Sequence, residues 1–268
     1  MKHPLPSSFS NQVLQVALAG AGGNGSQMLG GLARLNIALT TLGHPGMQVT
    51  VFDPDIVTSA NIGRQLFSPS DLGCSKAEVL VNRINCFYHL AWQAVPTKLT
   101  RASMRPHSGW HFLIGCVDSA SARRELNRCR FQYWLDLGNS EQKGQVILGQ
   151  TMEHNLGPSP AAQTARRFGR PMSRRELAED NAWDEMKRHL LPNVLEVFPE
   201  LLSRQRKPDD GPSCSLAEAL ERQDLFINQS VATFALQLLW QFIRQGGLDI
   251  HGFFINLQTG RVTPLPIR

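Results

Sequence analysis

The residues best suited to do chemistry begin at Gly20-Ala21-Gly22-Gly23-Asn24-Gly25, directly after the apolar run Val16–Ala19. A glycine turn that opens a helix points bare N–H groups at an anion. Gly20 permits the tight turn, Gly22 lets the backbone approach a phosphate, and Gly25 lets the helix sit close to the strand. Asp53 ends a second apolar run, Val49–Phe52. A carboxylate in that position can accept hydrogen bonds from ribose hydroxyls. Asn61, Arg64 and Lys76 follow. They bring an amide, a guanidinium fork and an ammonium near the phosphate turn. Together they make a charge clamp for a triphosphate, suited to stabilising a transition state at phosphorus. A nicotinamide oxidoreductase would not place these cations there, so Arg64 and Lys76 argue against that class. Asp118 is a second focus. It follows the buried run His111–Val117, and open α/β sheets place their chemistry at such strand ends. The plainer reading of Asp118 is a helix cap or an ion-pair acid.

The elements that must position these groups follow from periodicity. Residues Met1 to Gln12 read as a loose lead. Strand Val13–Ala19, helix Ser26–Leu42 and strand Val49–Phe52 frame the glycine turn, with His44 in a surface loop. Lys76 opens a helix to about Leu90 whose apolar face is Val79, Leu80, Ile84 and Phe87. Further strands are expected at Ala91–Leu99, His111–Val117, Tyr133–Leu137 and Gly144–Thr151. Ser119 can cap a helix that runs from Ala120 to Phe131. His107 and His111 read as solvated or core histidines rather than metal ligands. From Glu153 to Asp210 proline, arginine and glutamate rise, with helix expected around Ser173–Leu191. Trp183, Leu190 and Leu191 form either a docking face or a contact with the sheet. Val231, Phe234, Ala235, Leu238, Leu239, Phe242 and Ile243 mark the core stripe of a last long helix, ended by Gly246-Gly247. A hairpin, Phe253–Leu257 and Arg261–Thr263, closes the chain. The fold class is α/β: a Rossmann-like mixed β-sheet with helices on both faces, plus a partly helical insertion. Residues 1–150 form the nucleotide-binding core, 151–213 the insertion or crossover, and 214–268 the closing helix and strands of the same domain.

The run Asp53-Pro54-Asp55-Ile56-Val57-Thr58-Ser59-Ala60-Asn61-Ile62-Gly63-Arg64-Gln65 resembles the adenylating family that includes ThiF, MoeB and the ubiquitin-activating enzymes. That family's signature is Gly-x-Gly-Gly-x-Gly, then Asp-x-Asp-x-Val-x-x-Ser-Asn-x-x-Arg-Gln, then a Lys. Gly20, Gly22, Gly23, Gly25, Asp53, Asp55, Val57, Asn61, Arg64, Gln65 and Lys76 match it. Ala60 departs, displacing the usual serine to Ser59. The resemblance implies ATP-dependent adenylation of the C-terminal carboxylate of a small ubiquitin-like protein. It implies a nucleotide site of Gly20, Gly22, Gly23, Gly25, Asp53, Asp55 and Gln65. Arg64, Lys76, Asn61 and Asp118 would be catalytic, with Mg2+ held on the ATP phosphates by Asp118. Ser119 stands where the family usually has Asn. Cys214 lies where some branches carry a cysteine that accepts the acyl group. A thiol at a helix N-terminus is more easily ionised and fit to attack an acyl adenylate. A non-reactive loop cysteine is the other reading, and adenylation does not need the thiol. The runs Cys214–Leu220 and Arg261–Pro266 resemble a ThiF-like bacterial branch, of the PRTRC-system type, paired with a ubiquitin-like protein and a JAB-type peptidase.

Family members usually form homodimers, so a homodimer is expected here. Many also hold a zinc through two C-x-x-C pairs, which this chain lacks, so no zinc is expected. Some carry an N-terminal arginine that reaches the partner's site. No Arg precedes Gly20, which leaves Arg34, Arg123 or a partner residue for that role. The five cysteines are odd in number and suggest no disulfide framework, so the chain reads as cytoplasmic. No apolar run is long enough to span a membrane. The net charge of +5 sits largely in Arg166, Arg167, Arg170, Arg174 and Arg175. A solvated basic loop is favoured over a nucleic-acid arm. Two alternatives stay open: a tRNA-modifying dehydratase-like adenylating enzyme, and a nucleotide-binding assembly protein without catalysis.

Overall fold

A computed structural model describes residues 2–104, 109–151, 159–188, 190–202 and 223–267. Strand β1 (His3–Pro4) leads to β2 (Leu14–Ala19), helix α1 (Gly23–Thr41) and β3 (Met47–Phe52). Next come α2 (Lys76–Tyr88), β4 (Gln93–Val95), β5 (Phe112–Gly115), α3 (Ala120–Leu126), β6 (Tyr133–Asn139) and β7 (Lys143–Gly149). Helices α4 (Pro160–Arg167), α5 (Arg174–Arg188) and α6 (Val194–Val197) follow. The chain then closes with α7 (Ile227–Gln245), β8 (Gly247–Leu248), β9 (Ile250–Asn256) and β10 (Arg261–Pro266).

Eight strands form one sheet in the order β10-β9-β7-β6-β5-β2-β3-β4. From β4 to β6 all neighbours are parallel. From β6 to β10 all are antiparallel. The chain starts in the middle, at β2, builds outward through β3 and β4, then returns to β5 on the other side. The gap between β2 and β5 is therefore a topological switch point, where open α/β sheets leave a crevice for ligands.

Alternation along the strands divides the core in two. Val16 and Leu18 of β2 join a cluster with Met28, Leu32 and Leu39 of α1, Leu80 of α2 and Leu238 and Phe242 of α7. Ala17 and Ala19 face the opposite side, with Leu113, Trp134, Leu126 of α3 and Val194 and Leu195 of α6. Both faces are covered, as the α/β reading requires. Helices α1 and α7 pack so closely that a Cβ on Gly31 would lie 2.0 Å from Leu236. The αL residue that stops α7 is Gly246, at φ 66°.

Four features depart from the sequence reading, the first being that α3 ends at Leu126, short of the expected Phe131. Residues before Gln12 are not a loose lead. Phe9 is fully buried and meets His111, Phe112 and Tyr133 edge to face. His3 Nε2 bonds the Tyr133 hydroxyl at 2.9 Å, and β1 pairs with β8. His44, expected as a surface residue, joins this bracket: Nδ1 accepts from Gly46 N–H, so Nε2 donates to the Phe9 carbonyl at 2.7 Å. Phe87 is 74% exposed, and the buried face of α2 is Lys76, Ala77, Leu80 and Val81. The third strand is only Gln93–Val95, because the chain turns away after it.

The expected insertion carries α4, α5 and α6. Ser159 caps α4 and donates to Asp180 of α5. Arg170 grips Glu176 with two N–H groups, at 2.6 and 2.8 Å, and Arg175 pairs with Glu179. Four of the five basic residues singled out above lie on these two helices, Arg170 lies between them, and all five are exposed. Leu191 packs back into the core, its N–H on Gln150 Oε1. His111 is a core histidine: its Nδ1 accepts from Gln15 N–H at 2.8 Å. His107 and Cys214 lie outside the described residues.

Removing the Phe9 ring leaves a hole beside Phe112 of β5 and Tyr133 of β6. Phe9→Ala is expected to cost about 3–5 kcal/mol in urea unfolding, as for other buried aromatics. A loss below about 1 kcal/mol would show the lead to be dispensable.

Candidate active site

Two residues set the geometry of the crevice. Gly20 has φ 95°, and a Cβ there would stand 2.7 Å from the Cys116 carbonyl. Gly25 sits so close to the turn that its Cβ would lie 1.9 Å from the Gly20 carbonyl. Helix α1 is thereby pressed against the carboxyl ends of β2 and β5. Its first N–H groups, from Gly22 onward, have no partner inside the helix. A Cβ on Gly23 would collide with Asn228 of α7 at 2.6 Å. Gly22 alone of this set has an open approach, its nearest neighbour being the Gln65 amide at 3.9 Å.

In front of the turn lies a cleft of about 1350 Å³. Gly20, Gly22, Gly23, Asp53, Asp55, Arg64, Gln65, Lys76 and Asp118 all line it. Gly25 and Asn61 are not on its wall. Gly25 acts from behind, through the close approach. Asn61 caps the turn that precedes Arg64: its Oδ1 accepts from Thr58 N–H and hydroxyl, and its carbonyl accepts from Gln65 N–H.

The loop between β3 and α2 is held at many points. Val57 and Gly73 exchange backbone bonds across its neck with Cys74 and Val57. Ser68 caps onto Asp71, and Asp71 is gripped by Arg83 of α2 at 2.8 Å. Leu66 N–H reaches the Ser26 hydroxyl on α1. Arg64 and Gln65 are therefore carried on a braced segment and not on a free loop.

Asp53 is 95% buried. Its Oδ2 accepts from Ala21 N–H at 2.5 Å and its Oδ1 from Asp55 N–H at 2.8 Å. Burial pushes its carboxyl above the usual range, opposed by those two bonds and by Lys76. Asp53 thus fastens the glycine turn to β3, while its remaining lone pairs face the cleft. Lys76, the first residue of α2, is buried and pairs with Asp55 at 3.1 Å. Arg64 donates to Gln223 Oε1, which also meets Asn228. Burial holds the Arg64 guanidinium below its ordinary pKa. Among the described residues no carboxylate pairs with it.

Asp118 is exposed at the strand end, and Ser119 caps α3 through Ala122 N–H. Behind them Arg123 and Asp136 form a buried ion pair at 3.0 Å, and Arg123 also donates to the Asp118 carbonyl. That pairing holds Arg123 away from the role of a mobile finger. Arg34 is exposed on α1 and off the cleft wall. Burial pushes the Cys116 thiol far up, so it stays protonated and inert. Among the described residues no three His, Cys, Asp or Glu side chains gather as a metal site. A lone strand-end carboxylate still fits Mg2+, which takes one or two carboxylates and completes its shell with phosphate and water.

Sequence reasoning missed several wall residues: Asn24, Asn139, Asn228, Lys98, Lys143 and Arg261. Asn24 Nδ2 donates to Asn139 Oδ1 at 2.8 Å, joining α1 to the end of β6. Their other amide atoms, with Arg64 Nε and Gln65 Oε1, are buried without partners. Isolated polar residues on late strands carry no motif, so only the sheet pairing reveals them.

Residues 10–263 match the ThiF family, and the chain belongs to it. Solved structures share the fold. PaaA is 14% identical with a TM-score of 0.56 over 95% of this chain and 64% of its own. MccB from E. coli is 15% identical with a TM-score of 0.51 over 97% of this chain and 63% of its own. The same protein solved with ATP is 13% identical and scores 0.50. This chain therefore spans less than two thirds of the length of those proteins. No curated protein sequence matches it.

The close approach at Gly25 can be tested against a neighbour on the same helix. Gly25→Ala is expected to lose about 1–3 kcal/mol or more in chemical denaturation. Gly30→Ala, where a Cβ meets nothing within 4 Å, should gain about 0.5–1 kcal/mol. Equal effects at the two positions would refute the packing role given to Gly25.

Proposed function

We propose that the chain is an ATP-dependent adenylating enzyme acting on the C-terminal carboxylate of a small, ubiquitin-like protein. The observation that supports it most is the meeting of Arg64, Lys76, Asp118 and the glycine turn on one cleft wall at the switch point. MccB structures include one with ATP and one with MccA, each of that protein.

In the proposed reaction a carboxylate oxygen attacks the α-phosphorus of ATP. The bond to the bridging oxygen between α- and β-phosphorus breaks, leaving acyl adenylate and pyrophosphate. Two anions must approach, which is slow in water. Arg64, without a carboxylate partner among the described residues, and Lys76, at a helix N-terminus, supply fixed positive charge to the developing negative charge. The N–H groups of Gly22 and Gly23 receive phosphate oxygens. Asp53, already anchored through Ala21 and Asp55, offers its free lone pairs to the ribose. Asn61 is a positioning residue, since it shapes the turn that presents Arg64 and Gln65. Asp118 would hold Mg2+, which when bound neutralises phosphate charge. Cys214 remains the acceptor suggested by the sequence: its thiolate would attack the acyl carbon and release AMP.

ATP–pyrophosphate exchange with a ubiquitin-like protein tests the reading. Arg64→Ala and Lys76→Ala should each lower exchange by about 100-fold or more, the scale of lost transition-state donors. Exchange at the wild-type rate in both variants would remove the charge clamp from the mechanism. Cys214→Ala should leave exchange intact and abolish any hydroxylamine-sensitive adduct.

A further inference from the structure

The cleft does not end at the nucleotide turn. It runs past the tip of β6 onto one face of the three antiparallel strands. There Lys143 on β7 and Arg261 on β10 both stand opposite Asn256 on β9. Directly opposed residues on neighbouring antiparallel strands project from the same face. Lys143, Asn256 and Arg261 therefore form one row, and all three line the cleft. Phe254 lies in the next row, and Phe198 meets it from the opposite wall with ring centroids 6.1 Å apart.

Both cations are exposed, and among the described residues neither has an ion-pair partner. They are also remote from the phosphates. β10 is five strand positions from β2, or about 24 Å at ~4.8 Å per strand. β7 is three positions away, about 14 Å. A triphosphate at the glycine turn does not reach along that row. The row does lie on the path of a chain whose end carboxylate sits near the tips of β5 and β6. From β6 the row spans roughly 5–15 Å, which an extended chain covers at about 3.3 Å per residue.

We propose that Lys143 and Arg261 select an acyl substrate whose C-terminal tail carries an acidic side chain two to four residues before the reacting carboxylate. The proposal rests on the adenylation reading for the identity of that carboxylate. The acid would lie between the two cations over Asn256, whose amide can donate to it. The tail's next side chain would meet Phe254 and Phe198.

The test uses the full chain and fluorescent hexapeptides of Gly, Ala and Ser, each with one Glu, Gln or Lys two, three or four residues before a free C-terminus. Binding is read by anisotropy at low and high salt. A Glu peptide should bind about fivefold tighter than its Gln counterpart, the scale of two exposed ion pairs, and the difference should shrink in salt. The double variant Lys143→Glu with Arg261→Glu should reverse the order and favour Lys. That reversal requires a folded protein, so misfolding cannot imitate it. Lys143→Gln alone should halve the preference or more. Equal binding of Glu and Gln peptides, or no peptide binding, overturns the proposal. So does a double variant that loses affinity for a fluorescent ATP analogue while its peptide order stays unchanged, since the row would then serve phosphate. Pyrophosphate exchange is followed alongside: its absence with charge preference intact counts against adenylation and not against the row.

Discussion

The whole arrangement depends on backbone touching backbone at the Gly20–Gly25 contact. There α1 comes to the tip of β2 without room for a single methyl group. That contact fixes where the bare N–H groups of α1 point. Asp53 then ties the same turn sideways to β3, and Cys116 N–H ties Ala19 to the strand beyond. Hydrogen bonds of this kind are individually modest, but each binds a group that would otherwise be buried and unpaired. The result is a braced turn of bare N–H groups, held by the close backbone contact and by one cleft side chain, Asp53.

Around that cradle the charges come from three separate places. Arg64 rides a capped turn, Lys76 opens α2, and Asp118 lies in the link between β5 and α3. Each is fixed by neighbours that do no chemistry: Asn61 through Thr58, Asp71 through Arg83, and Arg123 through Asp136. The last of these is a fully buried ion pair. Removing one member would leave a stranded charge, a far larger penalty than the pair's own net worth. Its position directly behind Asp118 makes it a support for the strand end.

Much of this was legible in the sequence because it is local. The strand–turn–helix unit, the acid at the end of β3 and the Asn61–Lys76 spacing all lie within one short stretch, and their types follow from backbone needs. The core stripe of α7 was equally plain, since Val231, Leu238 and Phe242 recur at helical spacing. What was not legible depends on long-range pairing. Phe9 looks like an isolated aromatic in a polar lead until β1 meets β8 and brings it beneath Tyr133. Phe87 fits the helical period of α2, yet the sheet ends before reaching it. Lys143 and Arg261 are ordinary surface cations until β9 sets them side by side. Asn61 is expected to offer an amide donor to the ligand; its Oδ1 is taken by its own turn, and the residue stands behind the cleft wall.

The placement of Lys76 has one further meaning. A lysine is a poor choice for the opening position of a helix, because the macrodipole there is already positive. Here the ammonium is also withdrawn from water, balanced by the solvent-facing Asp55 and by the nearby Asp53. Placing a cation where the helix end is already positive concentrates positive charge at this corner of the cleft.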